Sequence, residues 1–288
     1  MSSPSLPSRI LDAPGLRALR RAGFQPRGLR TPEGDMVLLE RQCQQDGPTL
    51  VLLHGVGSRG SHLQALARGV APACGRILLP DFLGHGHSTS PAGLDTPRAV
   101  HAMIAALDQL LDRRAYLYGN SMGGWAALKY ASARPERVAG VFVTAPAGGQ
   151  LDENLRQDVV SAFVVRSFAD ARVVVDRAFS RPPLPRWLMA LALRSRMDRP
   201  VIHQLLDSAG PEVDLTPSDL AGLRMPVTVM WGGADRLLHP QQRDWFREHL
   251  PAHARFEERG PWGHSPYLDQ LPELVPELAD FVSRPEGG

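Results

Sequence analysis

The chain has 288 residues, about twice the length of a common single domain, so it holds either one α/β domain with an insertion or two domains. Hydrophobic residues at 43% and charged residues at 22% are ordinary globular values, which exclude a disordered, collagen-like or coiled-coil chain. With 32 basic against 30 acidic side chains, a net charge of +2 offers no global attraction for nucleic acid, and none is expected as a partner.

From the N-terminus, residues 1–16 are rich in Ser and Pro and lack the apolar run of a signal peptide. Nowhere does an apolar stretch approach the roughly 18 residues of a membrane span, so no stable membrane insertion is expected. Residues 1–32 carry six Arg and a single acid, Asp12. The pattern of Leu16 and Leu19 among Arg17, Arg20 and Arg21 reads as a solvated helix rather than a membrane-surface one. Two cysteines, Cys43 and Cys74, are too few and too far apart for a disulfide framework or a thiolate metal site, and they fit a cytoplasmic protein.

Extended segments near Gly28–Arg30 and Met36–Gln42 flank the turn signal Pro32–Gly34 and predict a hairpin. Compact apolar runs follow at Thr49–Leu53, Arg76–Leu79, Ala115–Tyr118 and Val138–Thr144, separated by helical stretches. Strands this apolar, alternating with helices, predict an α/β fold with a mostly parallel sheet covered on both faces. After Pro146 the strand signal stops. From 148 to 216 only helical periodicity is found, broken at Pro182, Pro183, Pro185 and Pro200. Strand character returns at Val227–Trp231, followed by a helix over Pro240–Leu250, a short strand at Arg255–Glu258 and a closing helix over Leu271–Val282. The helical block is therefore an insertion, 147–216, in a core formed by 1–146 and 217–288.

Two glycine motifs compete for a functional reading. Gly55-Val56-Gly57-Ser58-Arg59-Gly60 follows a strand and has Asp81 about twenty residues later, the spacing of a dinucleotide fingerprint. A lone match of this kind is weak, and the same glycines equally let a backbone N–H approach a site closely. Gly119-Asn120-Ser121-Met122-Gly123-Gly124 is more specific: it lies between a strand and a helix and matches the nucleophile elbow G-x-S-x-G. A serine hydroxyl needs a base, and the base an orienting acid. Asp235, just after the strand at 227–231, and His264, just after the last short strand, lie on loops that leave the carboxyl end of the sheet with Ser121. Ser, Asp, His is the chain order that goes with the elbow.

These motifs resemble those of the α/β-hydrolase family, and the likeness runs from about Met36 to Val282. His54-Gly55-Val56-Gly57 is similar to the family's oxyanion loop, and Pro80-Asp81-Phe82-Leu83-Gly84-His85-Gly86-His87-Ser88 to the loop after the fourth strand. The resemblance implies a serine hydrolase with Ser121 as nucleophile, His264 as base and Asp235 as its orienter. The backbone N–H groups of Val56 and Met122 would form the oxyanion hole, and 147–216 a cap. No cofactor or metal is expected: His85 and His87 have no accompanying ligand set, and His54 reads as a loop anchor. Ser at 121 disfavours the epoxide hydrolases and dehalogenases, which use Asp there.

The expected reaction is cleavage of a carboxylic ester of a small or medium, largely apolar molecule. Carbon–carbon, thioester or lactone hydrolysis with the same residues is the alternative; a nucleotide-dependent oxidoreductase and a non-catalytic binding protein are further ones. Ring-cleavage members carry Trp directly after the histidine, where this chain has Ser265, with Trp262 two places before the histidine. Trp187 and Met189 in the apolar run 187–193, and Trp125 after the elbow, are candidate pocket residues. Asp207 and Asp214 read as a solvated helix face, and nine Arg against nine acids over 147–216 suggest a neutral substrate.

Overall fold

The computed structural model describes residues 19–43 and 46–284; of the Arg-rich segment 1–32, the part up to residue 18 lies outside the described residues, while Leu19 is buried in the core and Arg27 and Arg30 lie on the first strand. Eight strands form one sheet: β1 (Gln25–Thr31), β2 (Gly34–Gln42), β3 (Thr49–Leu53), β4 (Arg76–Pro80), β5 (Ala115–Asn120), β6 (Val138–Thr144), β7 (Val227–Gly232) and β8 (Arg255–Arg259). Their spatial order is β1-β2-β4-β3-β5-β6-β7-β8. β1 and β2 are the expected hairpin, longer than the sequence suggested, and β2 pairs antiparallel with β4. Every other pairing is parallel.

β3, β5, β6 and β7 are buried along their whole length, because helices cover both faces. The period of two is visible in the core: Val51 and Leu53 join one apolar cluster, while Leu50 and Leu52 join the other on the opposite face. Covering helices are α1 (Gln64–Val70), α2 (Thr96–Leu110) and α3 (Met122–Ala133). α2 starts where Asp95 accepts the Arg98 N–H at 2.9 Å and Pro97 occupies the first turn. In α3, eight of twelve residues are buried, which explains its near-uniform apolarity.

Between β6 and β7 the chain forms α4 (Glu153–Phe163), α5 (Phe168–Ala178), α6 (Arg186–Met197) and α7 (Pro200–Asp207), then the short α8 (Pro217–Ala221). α5 begins with a reciprocal capping box, Ser167 with Asp170. α9 (Pro240–His249) follows β7, and α10 (Pro266–Asp269) and α11 (Leu271–Ser283) close the chain. Because the central strands are parallel, the loops after β3, β5, β6, β7 and β8 all emerge at one sheet edge.

Candidate active site

One residue, Ser121, separates β5 from α3. Its φ of 55° and ψ of −121° lie in a region that non-glycine residues rarely occupy. The turn is this sharp because glycine stands two places to either side. A Cβ on Gly119 would lie 2.2 Å from the Gly123 carbonyl oxygen, and one on Gly123 2.2 Å from the Leu53 carbonyl oxygen. The Ser121 N–H donates to Thr144 O at 3.1 Å, while its carbonyl accepts from Trp125 N at 3.0 Å and Ala147 N at 3.1 Å. The strain is thus held by the loop after β6 as well as by the helix.

Asp235 lies on the loop after β7 with its side chain fully buried. One carboxylate oxygen accepts from Leu237 N at 2.8 Å; the other accepts from His264 Nδ1, also at 2.8 Å. A histidine that donates from Nδ1 leaves Nε2 with a free lone pair, the form a general base needs. Nε2 is buried and has no hydrogen-bond partner among the described residues. Hydrogen bonds of this kind commonly close only around substrate. The backbone of His264 is held from two sides, its N–H by Ala178 O at 2.7 Å and its carbonyl by Asn120 Nδ2 at 2.7 Å. Asn120 also donates to Thr144 O at 3.1 Å and accepts from Ser265 Oγ at 3.3 Å, so one amide ties the histidine loop to the serine turn.

The loop after β3 packs closely against the serine: a Cβ on Gly55 would meet Ser121 Cβ at 3.3 Å. Val56 and Met122, the expected oxyanion donors, line the same cavity as Ser121. Met122 opens α3, where the first N–H groups have no partner within the helix. His54 anchors this loop. Its Nδ1 donates to Gly55 O at 2.8 Å and its Nε2 accepts from Phe82 N at 3.2 Å, a neutral tautomer favoured further by burial, which pushes its pKa well down. The dinucleotide reading fails on Asp81, whose carboxylate accepts from Gly60 N at 2.6 Å and His87 N at 2.8 Å and braces two loops instead of meeting a ribose.

Two cavities flank Ser121. The smaller, about 140 Å³, touches Met122, Trp125, Val159 and Leu206. The larger, about 300 Å³, touches His264, Tyr267, Met189 and Arg196. Val56, Ser121 and Phe163 border both. Trp125 serves packing and pocket together, since it is buried, donates from Nε1 to Val213 O at 2.9 Å and still borders the smaller cavity. Trp187 departs from expectation: at 56% exposure it borders neither cavity, because its side of α6 faces solvent. Asp207 is exposed, but Asp214 is not on a solvated face. It is buried and bonded to Arg156 through both oxygens, one contact at 3.1 Å, with burial pushing its carboxyl pKa up and the guanidinium opposing that.

The sequence reading missed Arg196, Phe163, Tyr267 and Gln242. Charge counting over 147–216 hides that Arg196 has no carboxylate partner among the described residues; its Nε donates to Gly57 O at 2.9 Å. Apolar periodicity marks Phe163 only as a buried helix position, yet its ring stands edge-on to His264, centroids 6.1 Å apart.

Residues 50–277 match the model of the alpha/beta hydrolase family, and the chain belongs to that family. It is a hydrolase, with relatives across the length of the chain. It is 23% identical over 279 residues to Lipase 1 of Psychrobacter immobilis, covering 91% of this chain and 86% of that one. With the 2-hydroxymuconate semialdehyde hydrolase of Pseudomonas sp. (strain CF600) it shares 30% identity over 256 residues, 82% of this chain and 87% of that one. Among solved structures, a membrane phospholipase A described as a bacterial virulence factor superposes with a TM-score of 0.77 at 23% identity, covering 94% of this chain and 91% of that one. Among the described residues, no helix is long and apolar enough to cross a membrane.

Proposed function

We propose that the protein is a serine hydrolase that cleaves carboxylic esters of small or medium, largely apolar molecules through an acyl-enzyme. Ser121 Oγ attacks the ester carbonyl as His264 Nε2 takes its proton, and Asp235 holds the imidazole and stabilises its charged form. Backbone N–H groups of Val56 and Met122 receive the developing oxyanion. The acyl–oxygen bond then breaks, His264 returns the proton to the leaving oxygen, and a water activated by the same histidine frees the acid. Residues 147–216 act as a cap over this site. The observation that carries the reading is the Nδ1–Asp235 bond, which fixes a base beside a cavity shared with a strained, buried serine. Two free thiols, Cys43 and Cys74, support a cytoplasmic location.

Turnover of p-nitrophenyl butyrate and labelling by a fluorophosphonate test it. Ser121→Ala is expected to abolish labelling and to lower kcat by roughly 10⁴-fold or more. A variant that hydrolysed the ester at the parent rate would sink the mechanism.

Arg196 favours a second reading, carbon–carbon hydrolysis of a carboxylate-bearing vinylogous diketone. A guanidinium with no carboxylate partner among the described residues borders the larger cavity, and one relative is named for a muconate semialdehyde. Turnover of p-nitrophenyl butyrate measured beside that of such a diketone separates the two.

A further inference from the structure

The geometry points to a division of labour between the two cavities: the acyl group of the substrate occupies the smaller one, and the leaving group the larger, with Phe163 as the partition that sets acyl length. This assignment rests on the ester-hydrolase reading above and deepens it.

The route of one proton separates the two cavities. When the acyl–oxygen bond breaks, the leaving oxygen takes the proton that His264 Nε2 received from Ser121, so it must come within hydrogen-bond reach of that nitrogen. His264 borders the larger cavity and not the smaller. The acyl carbon, bonded to Ser121 Oγ, keeps its oxygen near the N–H groups of Val56 and Met122. Of the two cavities, Met122 borders only the smaller, and Val56 both. A chain attached to that carbon and directed away from the histidine enters the smaller cavity. Water for the second step then arrives beside His264 through the space the leaving group has vacated.

Volume turns the assignment into a substrate class. The smaller cavity, about 140 Å³, is close to the roughly 150 Å³ apolar cavity that holds one benzene-sized molecule. It suits a short acyl chain, roughly four to six carbons. The larger cavity, about 300 Å³, accepts an alcohol of aryl or branched type, and its rim includes the exposed Leu184 and Leu188. Phe163, the last residue of α4, is 8% exposed and touches both spaces, with its ring at 61° to that of His264. Shortening it merges the two spaces and lengthens the path open to an acyl chain.

The test uses the full-length protein and two substrate series. One varies the acyl chain of p-nitrophenyl esters from acetyl to dodecanoyl; the other varies the alcohol of butanoate esters from methyl to naphthyl. For the parent, kcat/KM should peak at butanoyl or hexanoyl and tolerate the bulkier alcohols. Phe163→Leu, mild enough to preserve packing, should move the acyl optimum to longer chains. Val159→Phe, in the smaller cavity, should move it to shorter ones. Met189→Trp, in the larger, should lower kcat/KM for naphthyl butanoate about tenfold relative to methyl butanoate while the acyl optimum holds. Acyl optima that follow position 189, with alcohol preference following position 159, overturn the assignment, as does a Phe163→Leu profile identical to the parent's. Absence of both ester turnover and fluorophosphonate labelling instead overturns the ester reading on which it rests.

Discussion

Asn120 ties the histidine loop to the serine turn of the candidate site through a single side-chain amide. Its amide reaches the His264 carbonyl at 2.7 Å and the Thr144 carbonyl at 3.1 Å from a position adjacent to the serine. Loss of that amide takes the side-chain donor from the buried His264 carbonyl, a cost of about 1–3 kcal/mol, and frees the histidine loop, while the Thr144 carbonyl keeps the Ser121 N–H. Asn120→Ala is therefore expected to lower the melting temperature and to reduce kcat much more than it changes KM, measured by thermal denaturation and steady-state kinetics. At the same scale, Ser121 and its flanking glycines were legible in the sequence, since a strained turn imposes its steric demand on immediate neighbours. The partner of Asn120 was not, because position 264 meets it only after β8 has joined the sheet.

At the scale of elements, the insertion between β6 and β7 is held to itself by a buried ion pair rather than by apolar contact alone. Arg156 on α4 meets Asp214, which follows the last helical turn of the insertion; their side chains are 13% and 7% exposed. Removing one partner of such a pair strands the other charge. Asp214→Ala is expected to destabilise the protein by about 3 kcal/mol, read from the urea midpoint, whereas replacing both residues by apolar ones of similar volume should cost far less. Hydrophobic periodicity located these helices because each buries one stripe. It could not distinguish Asp214 from Asp207, since a carboxylate on a solvated helix and one in a buried pair look alike in sequence.

Across the whole molecule, tight packing behind the loops at the sheet edge keeps several histidines uncharged. Burial lowers the pKa of His54 well below its ordinary value, that of His85 to about 4 and that of His62 to about 3, with Arg196 and Arg59 adding to the last. These folded values lie below the unfolded value of about 6.5. The stability they contribute is therefore complete above that pH and is lost as acid protonates the unfolded chain in preference to the folded one. His85→Gln should flatten this dependence: its denaturation midpoint is expected to fall less than the parent's between pH 7 and pH 5. Asp269 works in the opposite sense, since burial raises its carboxyl to about 6, so its contribution is lost as pH rises toward that value.

The α/β class, the succession of strands and the serine turn could be read from the chain alone, because each is written in local steric rules or in short-range apolar periodicity, and the motifs around that turn carried the resemblance to the family. Only the tertiary structure decided that Asp235 reaches His264 at 2.8 Å, that Asp81 braces two loops, that Trp187 faces solvent and that Arg196 and Phe163 border the cavities. These facts depend on which distant segments a parallel sheet brings to one edge, and on which side of an inserted helix turns toward that edge. Neither is encoded within a single stretch of chain.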